Sequence, residues 1–129
     1  MIKDEFIKNN YSILTSNGYF SYDSGIKPVI CKLNEDINYF KNQIVVDKVV
    51  GKASAMLLSL SGAKEVYALV LSKTGEEVLK KYGIIYHYEK LVEYIINRNN
   101  DGMCPMEEAI KDIDDLNEAY NILKSKVNL

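Results

Sequence analysis

One cysteine stands where a polar turn meets the expected start of a helix. Residues 97–108 read Asn-Arg-Asn-Asn-Asp-Gly-Met-Cys-Pro-Met-Glu-Glu, and proline is favoured at the first position of a helix. Cys104 would then be the N-cap residue, where unpaired backbone N–H groups and the helix dipole favour a thiolate. The segment therefore predicts a nucleophilic, redox or ligand-contacting cysteine, with a passive N-cap as the alternative.

Three other residues of this segment are candidates for a functional role beside the thiol. Arg98 either bonds the last carbonyls of a preceding helix or recognises an anion, because a guanidinium matches the geometry of carboxylate and phosphate. Asn97 would add hydrogen bonds to a ligand. Glu107 would lie at the third helical position, where it either stabilises the helix N-terminus or transfers protons.

A second candidate site lies at the expected start of an apolar helix. Gly51 and Lys52 are placed so that backbone N–H groups could receive an anion, with the lysine ammonium nearby. Asp47 precedes them and is either a ligand contact or an N-cap. The Gly-x-x-x-x-Gly-Lys-Ser/Thr spacing of a P-loop is absent. We therefore predict a small-ligand site that uses Asp47, Gly51 and Lys52.

Metal sites and cofactors are not indicated by the remaining reactive residues. His87 is the single histidine, which excludes a histidine-rich zinc site and the paired histidines of a metalloprotease. Cys31 lies in a strand-like apolar run and shares no metal or redox spacing with Cys104, so we expect a buried structural thiol. The sequence predicts no bound metal and no cofactor.

The elements that position these residues follow from the hydrophobic periodicity. Helices are expected over residues 3–15, 35–41, 49–60, 74–82 and 89–97, from 105 onward, and from Asp115 to the end. Strands are expected over residues 19–22, 26–33, 44–46, 66–71 and 84–86, the first two forming a hairpin. Strand, helix and strand from 66 to 86 imply a right-handed parallel crossover. The result is an α/β domain with a mixed sheet between helical layers.

Length and composition limit the class of protein. The 129 residues suit a single domain over 1–129, and 47% hydrophobic with 26% charged residues is ordinary for a soluble globular protein. A net charge of −2 without basic clusters disfavours nucleic-acid binding. No stretch resembles a signal peptide or a bilayer-spanning segment, so we expect no membrane association and a cytoplasmic location. The ten tyrosines could form a self-association surface, which leaves a homo-oligomer open.

Three stretches, 47–55, 64–68 and 96–107, resemble a small uncharacterised prokaryotic family assigned to the cytidine deaminase-like superfold. The resemblance covers most of the chain and implies a three-layer α-β-α, cytidine deaminase-like domain with a pocket at the start of the buried helix. True deaminases hold zinc through His-x-Glu or Cys-x-Glu and Pro-Cys-x-x-Cys. This chain has Lys52-Ala53-Ser54 and Ser72-Lys73-Thr74-Gly75 at those places. Zinc-dependent deamination is therefore not expected.

Three functions remain open at this level. The leading prediction is a metal-free protein that binds a small anionic or nucleotide-like ligand through Lys52, Arg98 and Asn97. The second is an enzyme in which Cys104 is the nucleophile or redox group and Glu107 or Asp47 transfers protons. The third is a non-catalytic interaction module. If the segment that carries Cys104 closes over the start of the buried helix, the two candidate sites become one.

Overall fold

The computed structural model describes residues 2–23, 25–96 and 102–127. The described helices are α1 (Ile2–Lys8), α2 (Lys27–Glu35), α3 (Lys52–Ser61), α4 (Lys73–Lys81), α5 (Pro105–Ile110) and α6 (Leu116–Lys126). The described strands are β1 (Ile13–Thr15), β2 (Phe20–Ser21), β3 (Ile44–Val50), β4 (Glu65–Ser72) and β5 (Ile85–Val92). They form one sheet in the order β2-β1-β3-β4-β5. Strand β1 is antiparallel to both of its neighbours, whereas β3, β4 and β5 are parallel, so the expected mixed sheet and parallel crossover are confirmed.

The main hydrophobic core lies between the sheet and helices α2 to α6. Val45 and Val66 face it from the sheet, and Leu57 of α3 is fully buried in it. Val46, the next residue after Val45, belongs to a second cluster with Phe6 of α1, because successive side chains of a strand point to opposite faces. Helix α1 therefore packs on the face of the sheet opposite to α3.

Helix α3 is buried around most of its circumference, as its small and apolar residues predict. Seven of its ten residues are buried. Gly62 ends the helix in the left-handed conformation, with φ at +86°, and its amide donates to the carbonyls of Leu58 and Ser59. The helix starts one residue after Gly51, because residues 49 and 50 still belong to β3.

The N-terminal third of the chain differs from the prediction. Helix α1 ends at Lys8 and does not reach residue 15, since Asn10 adopts a positive φ of 55° that breaks the helix. Residues 13–15 are strand β1, so the hairpin joins β1 to β2. The expected second hairpin strand, 26–33, is helix α2, and Pro28 lies in its first turn, where proline is well tolerated.

Two further predicted helices are wrong. Residues 35–41 form turns, except that Glu35 is the last residue of α2. Residues 89–92 continue strand β5, which pairs with β4 as far as Ser72 opposite Val92, so the helix expected over 89–97 does not form in the described part of that range. The helix expected after Cys104 is confirmed as α5. The final helix is confirmed with Asp115 as its N-cap, accepting from the Asn117 and Glu118 amides.

Candidate functional site

The candidate residues gather where the parallel strands end. Val50, Leu71 and Leu91 lie side by side in register at the carboxyl ends of β3, β4 and β5. Helices α3 and α4 both start from this edge of the sheet, which is where α/β proteins commonly bind ligands. The two helix starts touch, because a Cβ on Gly75 would lie 3.0 Å from the Gly51 carbonyl carbon and oxygen. Glycine at position 75 permits this close approach.

The carboxylate of Glu107 caps α3 from a different helix. Its Oε1 accepts from the Lys52 amide and its Oε2 from the Ala53 amide, both at 2.7 Å. Glu107 is only 6% exposed, and a Cβ on residue 51 would collide with its Oε1, so this arrangement needs Gly51. Burial raises the pKa of Glu107, while the two amides oppose that shift. The anion position that the sequence places at Gly51 and Lys52 is thus filled by the protein's own carboxylate.

The Lys52 side chain leads away from this cap toward the turn between α5 and α6. Its Nζ donates to the carbonyl of Lys111 at 2.8 Å and lies 3.7 Å from Oδ1 of Asp114. Lys111 follows the last residue of α5, so the ammonium is held by a helix C-terminus as well as by a carboxylate. These contacts hold Lys52 in the wall of a cavity.

This larger cavity has a volume of about 310 Å³ and lies between α3, α4 and the α5–α6 turn. We call it the lysine groove, since three of its nine lining residues are lysines. It is lined by Lys52, Met56, Thr74, Glu77, Val78, Lys81, Tyr82, Lys111 and Asp114. Three lysines and two acidic residues line it, and Glu108, outside the lining, lies 3.5 Å from the Lys111 ammonium. A smaller cavity of about 50 Å³ shares Lys52, Thr74 and Lys111 with the groove.

A separate cavity of about 70 Å³ contains the cysteine, and we call it the thiol pocket. It is lined by Gly25, Ile26, Val49, Gly51, Ser54, Ile95, Cys104, Met106 and Glu107. The amide of Cys104 donates to the Ile95 carbonyl at 2.8 Å, and its side chain makes no capping hydrogen bond to α5. The structure therefore brings Cys104, Gly51 and Glu107 together in one pocket, whereas Lys52 does not line it and lines the lysine groove.

Asp47 and His87 lie apart from both cavities. Asp47 is buried within β3, opposite Ile13 of β1 and Ala68 of β4, and its Oδ1 accepts from the Val49 amide at 3.4 Å. Burial raises its pKa to about 7. His87 is half-exposed on β5 and contacts Oε2 of Glu65 at 2.9 Å. The predicted contacts Asn97 and Arg98 lie outside the described residues.

Comparison with known proteins assigns the family. A family model described as TM1506, domain of unknown function (DUF1893), matches residues 1–127. The chain belongs to this family. It is 30% identical to a DUF1893 family protein (TM1506) from Thermotoga maritima, whose crystal structure matches with a TM-score of 0.90 over 97% of this chain and 86% of that chain. No match was found among curated proteins.

The DUF1893 assignment confirms the expected uncharacterised family, while the deaminase-like superfold stays a prediction. In the described ranges of this family member, no three His, Cys, Asp or Glu side chains are grouped to hold a metal ion. Within those same ranges, no helix has the length and apolar character to cross a membrane.

Sequence reasoning missed most of the lysine groove in this DUF1893 protein. One face of α4, together with its C-cap residue, supplies groove residues at helical spacing, namely Thr74, Glu77, Val78, Lys81 and Tyr82. That spacing was visible in the sequence, but nothing in it shows that Lys111 faces them across the groove. Ser54 also lines the thiol pocket, and its place in an apolar helix with no adjacent base gave no signal of this.

Proposed function

We propose that this chain binds a small anionic, nucleotide-like molecule in the lysine groove. The observation that carries the proposal is the convergence of Lys52, Lys81 and Lys111 on one cavity of about 310 Å³ beside the carboxyl edge of the parallel strands. A volume near 300 Å³ is at the lower limit of typical small-molecule sites. Since Glu107 occupies the α3 amides, the lysine side chains supply the charge that attracts the ligand.

The anionic part of the ligand is assigned to the end of the groove formed by Lys52, Thr74 and Lys111. These three residues also line the adjoining small cavity, so they lie together at one end. Among the described residues the Lys52 ammonium donates one hydrogen bond, to the Lys111 carbonyl, and lies 3.7 Å from Asp114, whereas an ammonium carries three donors. Donors therefore remain for a phosphate or carboxylate, and the Thr74 hydroxyl lies in the first turn of α4.

A ring of the ligand is assigned to the opposite end, beside Tyr82. The Tyr82 side chain is 40% exposed, and Nζ of Lys81 lies 5.5 Å from its ring centroid. Met56 and Val78 add apolar wall. Thr74 and Lys81 are seven residues apart on α4, which corresponds to about 10 Å along the helix. This separation suits a molecule with a phosphate at one end and a stacking ring at the other.

We also retain the three-layer, cytidine deaminase-like arrangement as part of this proposal. It is supported by the order β3-α3-β4-α4-β5 and by the two helices that start at the shared edge of the sheet. Their starts carry Lys52-Ala53-Ser54 and Ser72-Lys73-Thr74-Gly75 in place of zinc ligands. The proposal does not depend on Asn97 or Arg98.

Calorimetric titration with adenosine monophosphate tests the proposal, with Lys81→Gln and Lys111→Gln as groove variants. Lys124→Gln is a matched control, because Lys124 of α6 lies 5.7 Å from the Tyr120 ring centroid and outside the groove. Lys111→Gln should weaken binding roughly tenfold, the effect of losing one charged hydrogen bond. Lys81→Gln should weaken it less, because Lys81 lies at the ring end of the groove, and the control should bind like wild type. Equal affinity of all four proteins, or no binding by wild type, would contradict the proposal.

Inorganic phosphate and adenosine, titrated separately, assign the two ends of the groove. Phosphate affinity should fall in Lys111→Gln, whereas adenosine affinity should fall on replacing Tyr82 by Ala. Phosphate binding that is unaffected by Lys111→Gln would contradict the assignment of the anionic end.

A further inference from the structure

The thiol pocket combines a cysteine with a buried hydroxyl that has no partner. Ser54 is 3% exposed, and its Oγ has no hydrogen-bond partner among the described residues. It lines the same 70 Å³ cavity as Cys104. A serine inside a helix commonly donates to the carbonyl one turn earlier, and that bond is not made here. The hydroxyl is therefore free to bond a molecule in the pocket.

Other buried hydroxyls of the chain show that this is unusual. Ser12 donates to the Ser21 carbonyl, Ser61 accepts from the Phe40 amide, and Ser72 accepts from the Gly75 amide. Burying a hydroxyl without a hydrogen bond is unfavourable, because the group loses its bonds to water and gains none in return. Among the described residues the buried Ser59 Oγ also lacks a partner, but of the two only Ser54 lines the cavity that contains the thiol, which points to a ligand that supplies the missing bond there.

The walls of the pocket restrict the kind of ligand. Ile26, Val49 and Ile95 make it largely apolar, and the Glu107 carboxylate at its border disfavours anions. A volume of about 70 Å³ admits only a molecule of a few heavy atoms. The occupant is thus small, uncharged and equipped with a hydrogen-bond acceptor for the Ser54 hydroxyl.

We propose that the thiol pocket binds a small aldehyde, to which Cys104 adds reversibly while Ser54 donates a hydrogen bond to the carbonyl oxygen. In this step the Cys104 sulfur forms a bond to the carbonyl carbon and the C=O π bond breaks. The thiol proton ends on the former carbonyl oxygen, giving a neutral hemithioacetal. Atoms and electrons balance without an oxidant or a second reactant. Ser54 is a hydrogen-bond donor of the oxyanion-hole type, and it does not transfer the proton.

The site is independent of the lysine groove. Glu107 and Gly51 line the thiol pocket but not the groove, and none of the three groove lysines lines the thiol pocket. Failure of nucleotide binding therefore leaves the aldehyde site standing, and the reverse also holds.

Carbon-13 NMR with carbonyl-labelled acetaldehyde tests the site in the full chain. Cys31 of α2 is a second free and partly exposed thiol, so the ratio of Cys104 adduct to Cys31 adduct cancels the reactivity of the aldehyde itself. We expect two hemithioacetal signals, of which the larger persists in Cys31→Ser and disappears in Cys104→Ser, while the smaller does the reverse. Ser54→Ala should lower the Cys104 to Cys31 ratio about fivefold, the effect of one neutral hydrogen bond.

Labelled glyoxylate, an aldehyde that carries a carboxylate, tests whether the pocket prefers uncharged ligands. Its Cys104 to Cys31 ratio should be lower than that of acetaldehyde, because the carboxylate meets Glu107. Circular dichroism and denaturation of Ser54→Ala check that the variant folds, and alanine at this buried helical position favours folding. Equal adducts at the two cysteines, or a ratio that Ser54→Ala leaves unchanged, would overturn the proposal. A glyoxylate ratio as high as that of acetaldehyde would overturn the preference for uncharged ligands.

Discussion

The lysine groove and the thiol pocket lie on either side of one carboxylate and differ in almost every property. The groove has a volume of about 310 Å³ and three lysines, whereas the pocket has about 70 Å³ and mostly apolar walls. Glu107 lies between them, because it lines the pocket and also the small cavity that adjoins the groove. By satisfying the α3 amides, this side chain removes a general anion site and leaves two cavities with distinct chemistry. A helix N-terminus at a sheet edge therefore predicts an anionic ligand only where its free amides have no acceptor within the protein.

The largest expected effect is on the residue that separates the two cavities. Glu107→Ala should lower the free energy of unfolding by about 3 kcal/mol, because two buried amides lose charged hydrogen bonds. Chemical denaturation measures this loss. Glu108→Ala is the matched control, since Glu108 is exposed and forms only a 3.5 Å ion pair with Lys111. Equal stability of the two variants would show that Glu107 does not cap α3.

A second buried carboxylate, Asp47, makes the free energy of unfolding depend on pH. Its pKa in the folded protein is about 7, above the value of 3.8 for an unperturbed aspartate. Between these two values the folded state binds more protons than the unfolded state, so the stability contributed at this site falls as pH rises. From pH 5 to pH 7 this loss is about 2 kcal/mol. Urea unfolding at both pH values should show it in wild type and not in Asp47→Asn.

The Asp47→Asn variant also tests whether Asp47 contributes to either cavity. Asp47 lines neither the groove nor the thiol pocket, so the variant should bind adenosine monophosphate like wild type. A loss of nucleotide binding with unchanged stability would restore Asp47 to the ligand site that the sequence predicted. An unchanged pH dependence of stability would contradict the raised pKa.

A smaller effect distinguishes two helix N-caps at the same edge of the sheet. Ser72 accepts from the Gly75 amide at 2.9 Å, so Ser72→Ala should lower the free energy of unfolding by about 1 kcal/mol. Cys104→Ser should change it by less than about 0.5 kcal/mol, since the Cys104 side chain caps nothing. Thermal or chemical unfolding measures both. A large loss in Cys104→Ser would contradict this expectation and would indicate a structural role for the thiol other than capping, since serine is itself a preferred N-cap.

The central parallel unit was predictable from the sequence, while much of the N-terminal region was not. The apolar run 66–71 and the small, apolar residues of α3 admit only a buried strand and a buried helix, and both are confirmed. The strand predicted for residues 26–33 was wrong, because Pro28 is compatible both with an irregular strand and with the first turn of a helix. Tertiary contacts decided between these alternatives.

The candidate site was predictable only in part, for a similar reason. Spacing in the sequence identified Cys104 and Gly51, which do meet in one pocket. It could not show that Glu107 reaches the α3 amides across 55 positions of the chain, which depends on how α5 packs against α3. The position of Lys111 in the lysine groove depends on the same packing of α5 against α3. Contacts between distant segments depend on tertiary structure, which periodicity does not encode.

A native mass spectrum of the protein with added adenosine monophosphate tests the central claim most directly. The spectra of wild type, Lys124→Gln and the double variant Lys81→Gln/Lys111→Gln would be compared at one ligand concentration. Our account predicts a complex with one nucleotide per chain in wild type and in Lys124→Gln, and its loss in the double variant. A wild-type protein without bound nucleotide, or a complex that survives in the double variant, would contradict the account.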